Sequence, residues 1–327
     1  MMRIILVAMA AGCASALMFA SIVSGALVAV LLFYLAPLPL MVAALGWGPL
    51  CATFGGIAAA SVIGAIFGLP LCIGFAVAVG LPAWWLGHLV LLGRPATNSV
   101  SSANGASRVA PDLEWYPPGR ILLWISGFGA LTTVVALLAL GTDAATIRGT
   151  LRDGLGQVIQ IIRTREAASI RQFDQLIDAL ATIAPIAGAI VTTTTLTLNL
   201  WLAAKVTAIS GRLHRPWPDL KHASPPPMTL VAFCVAVGFC FTGGLVALLA
   251  QIVAASLFMV YALTGFAVLH TLTSALKGRA LWLACTYFIV IVFAWPLVAM
   301  AVLGLVDTVF GIRQRYLRRR PPPVPVS

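Results

Sequence analysis

Few side chains in this chain could do chemistry, and most of those sit in apolar surroundings. In TTTTLTLN, residues 192–199, Thr192, Thr195 and Asn199 fall at i, i+3 and i+7, on one face of a helix. Hydroxyls and an amide on such a face either hydrogen-bond a polar solute or hold two helices together. Trp84 and His88 lie one turn apart beside Trp85 and could stack on or hydrogen-bond a ligand, or simply pack at the interface. Asp307, followed by Arg313 and Arg315, could form an ion pair or a helix cap. No catalytic signature is present: there is no H-E-x-x-H, P-loop or G-x-S-x-G, and no carboxylate lies inside an apolar block. The expectation is a non-enzyme with no cofactor and no metal.

The elements carrying these residues are set by charge. Apolar residues make up 61% of the 327 and charged residues 9%, where a soluble domain has about a quarter charged. The charges leave five uncharged blocks, 4–93, 121–142, 179–204, 222–276 and 280–306. A span needs about 20 residues. The blocks therefore hold eight or nine helices: 4–22, 26–46, 49–67, 70–92, 121–141, 181–204, 228–249, 252–275 and 280–304, the first two either separate or fused. The fold class is an all-α polytopic transmembrane bundle. The apolar character runs on past Ala14-Ser15-Ala16, so the N-terminus reads as a first span and not as a cleaved signal peptide. All six cysteines fall in expected spans and read as buried small hydrophobes.

Between the spans, 94–120 is a polar linker. Segment 146–180 repeats apolar residues every three or four positions, the pattern of an amphipathic helix at the interface or under the bundle. A Pro-rich loop occupies 209–227, and 307–327 is a basic, Pro-rich tail. The division is an N-terminal bundle 1–208 and a C-terminal three-helix part 228–306. The net charge of +11 is concentrated in the tail, which suits anionic lipid and a cytoplasmic side better than nucleic acid. Counting back through nine spans puts 141–180 on the tail's side, with a thin margin in basic residues.

Two ladders of small residues stand out. Ala8, Gly12, Ala16, Ala20 and Ser24 recur every fourth residue in the first span, as do Ala52, Gly56, Ala60, Gly64 and Gly68 in the third. Each ladder offers a smooth groove to another backbone, either within the chain or on a separate membrane subunit. YLAPLPLMVAALGWGP, residues 34–49, interrupts a span with three prolines, reading as a kink, a surface turn or the broken wall of a cavity.

The pattern Gly-Leu-x-Asp-x-x-Phe-x-x-Arg at Gly304, Leu305, Asp307, Phe310 and Arg313, with GFAVLHTLTSALKGRALWLACTYFIVIVFAWPL before it and APLPL at 36–40, resembles the YybS-like family of bacterial membrane proteins of unknown function. The N-terminal region is remotely similar in layout to the substrate-binding S components of energy-coupling-factor vitamin transporters. That resemblance implies a vitamin-like ligand, a membrane coupling subunit docked on Ala8, Gly12 and Ala16, and a multi-pass protein of the bacterial inner membrane with a cytoplasmic C-terminus. The competing expectation is a membrane scaffold or assembly factor that recruits a cytosolic protein through 146–180.

Overall fold

The structure, a computed structural model, describes residues 2–95, 113–162, 170–217, 224–276 and 278–318. Arg163, Arg165 and the last part of the tail, 319–327, lie outside them. The described chain is almost wholly helical, and seven helical segments are long and apolar enough to cross a membrane, with three shorter apolar helices beside them. This is a polytopic helical membrane protein, and residues such as Leu27, Phe241 and Ile291, each at least 80% exposed, face where lipid would be.

Two compact units divide the chain: Met1–Pro117 with Thr195–Trp217, and Pro118–Thr194 with Pro218–Ser327. The first holds α1 (Met2–Ala20), α2 (Leu27–Leu35), α3 (Pro37–Trp47), α4 (Pro49–Phe67), α5 (Leu69–Phe75), a π-helical stretch Ala76–Gly80 and α6 (Leu81–Leu91). A two-stranded ribbon follows, β1 (Gly93–Pro95) antiparallel to β2 (Leu113–Trp115), at the ends of what the sequence presents as a plain linker. The first two spans are separate helices, parted by a turn at Gly25 (φ 67°). The second is itself broken at Ala36, where Pro37 and Pro39 cannot donate to the preceding turn and the Pro37 ring crowds the Phe33 carbonyl.

α1 lies on α4 with minimal separation. Ala8 and Gly12 are buried, and a Cβ added to Gly12 would run into the Gly55 carbonyl, so only glycine lets the backbones meet there. The Cys51 thiol reaches the Ile4 carbonyl (3.6 Å), which places the start of α1 beside the start of α4.

The second unit holds α7 (Pro118–Leu138), α8 (Ala144–Ile162), the first part of α9 (Ile170–Ile209), α10 (Met228–Phe239), α11 (Gly244–Leu272), α12 (Arg279–Phe293), α13 (Pro296–Phe310) and α14 (Ile312–Arg318). Three of its boundaries differ from expectation. Segment 146–180 is not one straight amphipathic helix: Arg152 of α8 pairs with Asp178 of α9 (2.7 Å), so its two parts lie against each other, and Phe173 and Ile177 belong to α9, which runs without a break from the polar segment into the span. The turn expected near Gln251 falls at 240–243 instead, because Gly243 (φ 88°) and Gly244 (φ 60°) take a conformation other residues rarely adopt, and Gln251 lies inside α11.

The third difference changes the path of the chain. The expected ninth span, 280–304, is two helices broken at Ala294 (φ 55°) and Trp295. Pro296, with no N–H to give, opens α13. α12 folds back along the end of α11, where Tyr287 stacks on Phe266 and its hydroxyl lies 2.8 Å from His270 Nε2. α13 then returns, Gly304 closing on the Tyr261 carbonyl, until Tyr316 of α14 reaches the Leu272 carbonyl (3.5 Å). At 15 residues each, α12 and α13 are about 22 Å long, short of the roughly 30 Å core. The hairpin thus leaves and re-enters at the same end of the unit.

Candidate functional site

Asn199 is buried, and its Nδ2 donates to the Tyr34 carbonyl (2.8 Å) and to the Thr195 carbonyl one turn back (2.9 Å). The Tyr34 carbonyl lies in the last turn of α2, the turn that Pro37 opens. The amide of α9 therefore meets the backbone exposed by the proline break, within the first unit. Around the break Ala36, Leu40 and Met41 are fully buried. Residues 36–40 are buried or half-buried in protein, whereas the Tyr34 side chain is exposed.

The threonines of the stripe look after themselves. Thr192 and Thr194 donate to the Gly188 and Ile190 carbonyls (2.8 and 2.7 Å), the back-bonding that lets a hydroxyl sit on an apolar helix. Thr195 supplies its carbonyl to Asn199. Asn199 Oδ1 accepts no hydrogen bond.

A groove opens elsewhere in the first unit. It has a volume of about 250 Å³ and is lined by Ala52, Gly56 and Ala60 of α4 on one side, and by Ala76, Gly80 and Trp84 on the other. The two sides stand apart because the π-helical turn Ala76–Gly80 carries an extra residue, which bows the helix. Its polar side chains are Thr53, whose hydroxyl is spent on the Pro49 carbonyl (3.0 Å), and Trp84. The small-residue ladders thus have different fates: Ala8 and Gly12 are used up against α4, whereas Ala52, Gly56 and Ala60 face the groove. Gly64 packs on Cys72. Of the aromatic pair, Trp84 lines the groove and His88 is exposed beside Trp85 (5.9 Å). Asn199 does not line it.

Asp307 and Arg313 form a buried ion pair. Arg313 Nε lies 2.7 Å from Asp307 Oδ2, and the Arg313 N–H donates to Oδ1 (2.8 Å). Gly311 in the left-handed region (φ 63°) ends α13 and turns the chain so that residue 313 comes back onto residue 307. With Ser224, Pro225 and Gln314 the pair walls a pocket of about 420 Å³.

One group is not anticipated by the sequence reading. At the end of the first unit where α3 turns into α4, Arg212 stacks on Trp47 (4.3 Å) and Lys205 on Trp217 (4.3 Å). Arg215 is buried and donates to the Val90 and Tyr116 carbonyls (3.2 and 2.9 Å), and its burial lowers the guanidinium pKa. Lys205, Arg212 and Arg215 with Trp217 were the available signal, but Trp47 is far away in sequence.

At the other end of the second unit, Asp143 caps α8. Its carboxylate accepts from the Thr146 hydroxyl (2.6 Å) and from the Thr146 and Ala145 N–H groups (2.9 and 3.0 Å), which hold it below the usual carboxylate range. Among the described residues, no three His, Cys, Asp or Glu side chains gather as a metal site.

No curated protein and no solved structure matches the chain. A family model does, over residues 13–308, from the middle of α1 to the helix that carries Asp307. The chain therefore belongs to the family described as predicted membrane protein (DUF2232), a family of uncharacterised membrane proteins.

Proposed function

We propose that the chain is a non-enzymatic binding component of a membrane system, YybS-like and similar in plan to an S component, that takes an apolar small molecule in the groove between α4 and the stretch 76–84. The groove itself carries this reading. Its volume of about 250 Å³ is close to the lower limit of small-molecule sites and far too small for a helix about 10 Å across. With the Thr53 hydroxyl already bonded, the Trp84 indole is the one other polar side chain of the wall, so the ligand is an apolar compound or the apolar part of one. Any coupling subunit would have to dock elsewhere than on Ala8 and Gly12.

The test is a thermal-shift screen of purified protein against apolar vitamins and metabolites. A stabilising compound should lose its effect in Ala60→Leu, which fills the groove, while that variant melts like the wild type without ligand. A screen with no stabiliser, or a shift that survives Ala60→Leu, overturns the proposal.

The orientation follows the same bacterial inner-membrane reading. The break at Ala294 adds a reversal, so the tail and α8 lie on opposite sides. In the second unit Arg120, Arg279, Arg313 and Arg315 share the tail's end, whereas Arg148 and Arg152 stand among Asp143, Asp153, Asp174 and Asp178. In the first unit Arg3, Arg94, Lys205, Arg212 and Arg215 share one end, and the turns at 21–26 and 67–70 carry no charge. The positive-inside rule then supports a cytoplasmic tail and α8 outside. Recruitment of a cytosolic protein by 146–180 loses its footing.

A further inference from the structure

We infer that the end of the first unit formed by Trp47, Lys205, Arg212 and Trp217 is a binding site for the headgroup of an anionic phospholipid. The cations there are held in place before any ligand arrives. Gly211 (φ 67°) turns the chain off α9, and the N–H groups of Arg212 and Leu213 both donate to the Thr207 carbonyl (2.9 and 3.1 Å). Arg215, hydrogen-bonded to Val90 and Tyr116, anchors the far side of the loop. The stem of Arg212 lies over Gly46, with its guanidinium flat on Trp47. A stacked guanidinium keeps its N–H edge free for a phosphate oxygen.

No carboxylate competes among the described residues. Glu114, the acid at this end, is taken by Arg94 in an ion pair (2.8 Å). Lys205 and Arg212 are matched only by aromatic rings, Lys205 half-buried and Arg212 exposed. The surface around them decides which phosphate fits. Leu50, Val206 and Ile209 are exposed apolar side chains on the adjoining ends of α4 and α9, and the two tryptophans mark headgroup depth. An occupant that satisfies both surfaces carries an anion and acyl chains together, which describes a membrane lipid and not free phosphate. The site is separate from the groove and stands whether or not the groove binds a ligand.

The full chain in nanodiscs of equal phosphatidylglycerol and phosphatidylcholine, released and weighed by native mass spectrometry, tests this. Retained lipid should be enriched in phosphatidylglycerol, and the enrichment should fall roughly fivefold for each charge removed, in Lys205→Gln, Arg212→Gln and the double variant. Arg94→Gln, at the same end but paired with Glu114, should keep it, as should the charge-preserving Lys205→Arg with Arg212→Lys. Excess inorganic phosphate should not displace the lipid. Equal retention of both lipids, unchanged enrichment in the double variant, or displacement by phosphate overturns the inference. If the double variant fails to fold, the charge-preserving pair and Arg94→Gln are compared with wild type for phosphate displacement, which alone decides between lipid and free anion.

Discussion

Asn199 Nδ2 sits 2.8 Å from the carbonyl oxygen of Tyr34, joining α9 to the point where the second span breaks. The prolines of APLPL and the lone amide of TTTTLTLN are two halves of one joint. Hydrocarbon offers nothing to a freed carbonyl, so an amide from a neighbouring helix takes the place of water.

This joint predicts a coupling. Asn199→Leu removes the donor and leaves the Tyr34 carbonyl buried, at a cost of about 1–2 kcal/mol in unfolding free energy. In a Pro37→Ala, Pro39→Ala background the turn can close on itself, and the same substitution should cost less. A double-mutant cycle read by denaturant unfolding in mild detergent checks it. Equal costs in both backgrounds would make Asn199 independent of the break.

The ladders should respond differently to the same chemistry. Gly12→Val drives a side chain into the Gly55 carbonyl and should destabilise by roughly 2 kcal/mol or more. Gly56→Ala meets nothing closer than the Gly80 Cα at 3.8 Å and should melt within a degree or two of the wild type. Melting temperatures of the two purified variants suffice.

The Asp307–Arg313 pair is almost free of solvent, with side chains 4% and 3% exposed. Asp307→Ala takes the carboxylate away from a buried guanidinium and should cost about 3–5 kcal/mol, whereas replacing both by Leu and Met should cost much less. The order of the two melting temperatures is the measurement. Of the surrounding pattern, Gly304 meets the Tyr261 carbonyl and Leu305 packs on the cluster around Tyr261, whereas Phe310 is exposed.

Asp143 gives a pH dependence. Its folded-state pKa lies below the unfolded value of about 3.9, so its contribution to α8 is complete above that value and is lost as pH falls through the lower folded one. Hydrogen exchange of the first turn of α8 should quicken, relative to the intrinsic rate, as pH drops below about 4. In Asp143→Ala the turn should exchange fast throughout, with no such step.

Much of this architecture was legible in the spacing of charges, because a charge-free block of about 20 residues has few other uses. The breaks were less so. The turn at Gly243-Gly244 reads from sequence as lying near Gln251 instead, because the uniform hydropathy around it lets the boundary slide. Ala294-Trp295-Pro296 reads as an ordinary proline inside a span, since nothing local says whether a helix kinks or reverses; the packing of Gly304 on Tyr261 and Tyr316 on Leu272 decides that. The cation and tryptophan cluster was hidden for a similar reason: Arg212 and Trp47 are far apart in sequence and meet only in the folded first unit. The Thr192, Thr195 and Asn199 face was readable, but whether it met solute or backbone depended on the break at Tyr34.

The reversal at Ala294 leads to the prediction with most at stake. If 280–304 crossed the membrane once, the tail and the loop before α8 would lie on the same side; with α12 and α13 as a hairpin they lie on opposite sides. Fusions to green fluorescent protein, which fluoresces only in the cytoplasm, and to alkaline phosphatase, active only outside, separate the two. A fluorescent reporter after Arg318 and an active phosphatase at Gly141 are expected. The same reporter lighting up at both positions would restore the single span.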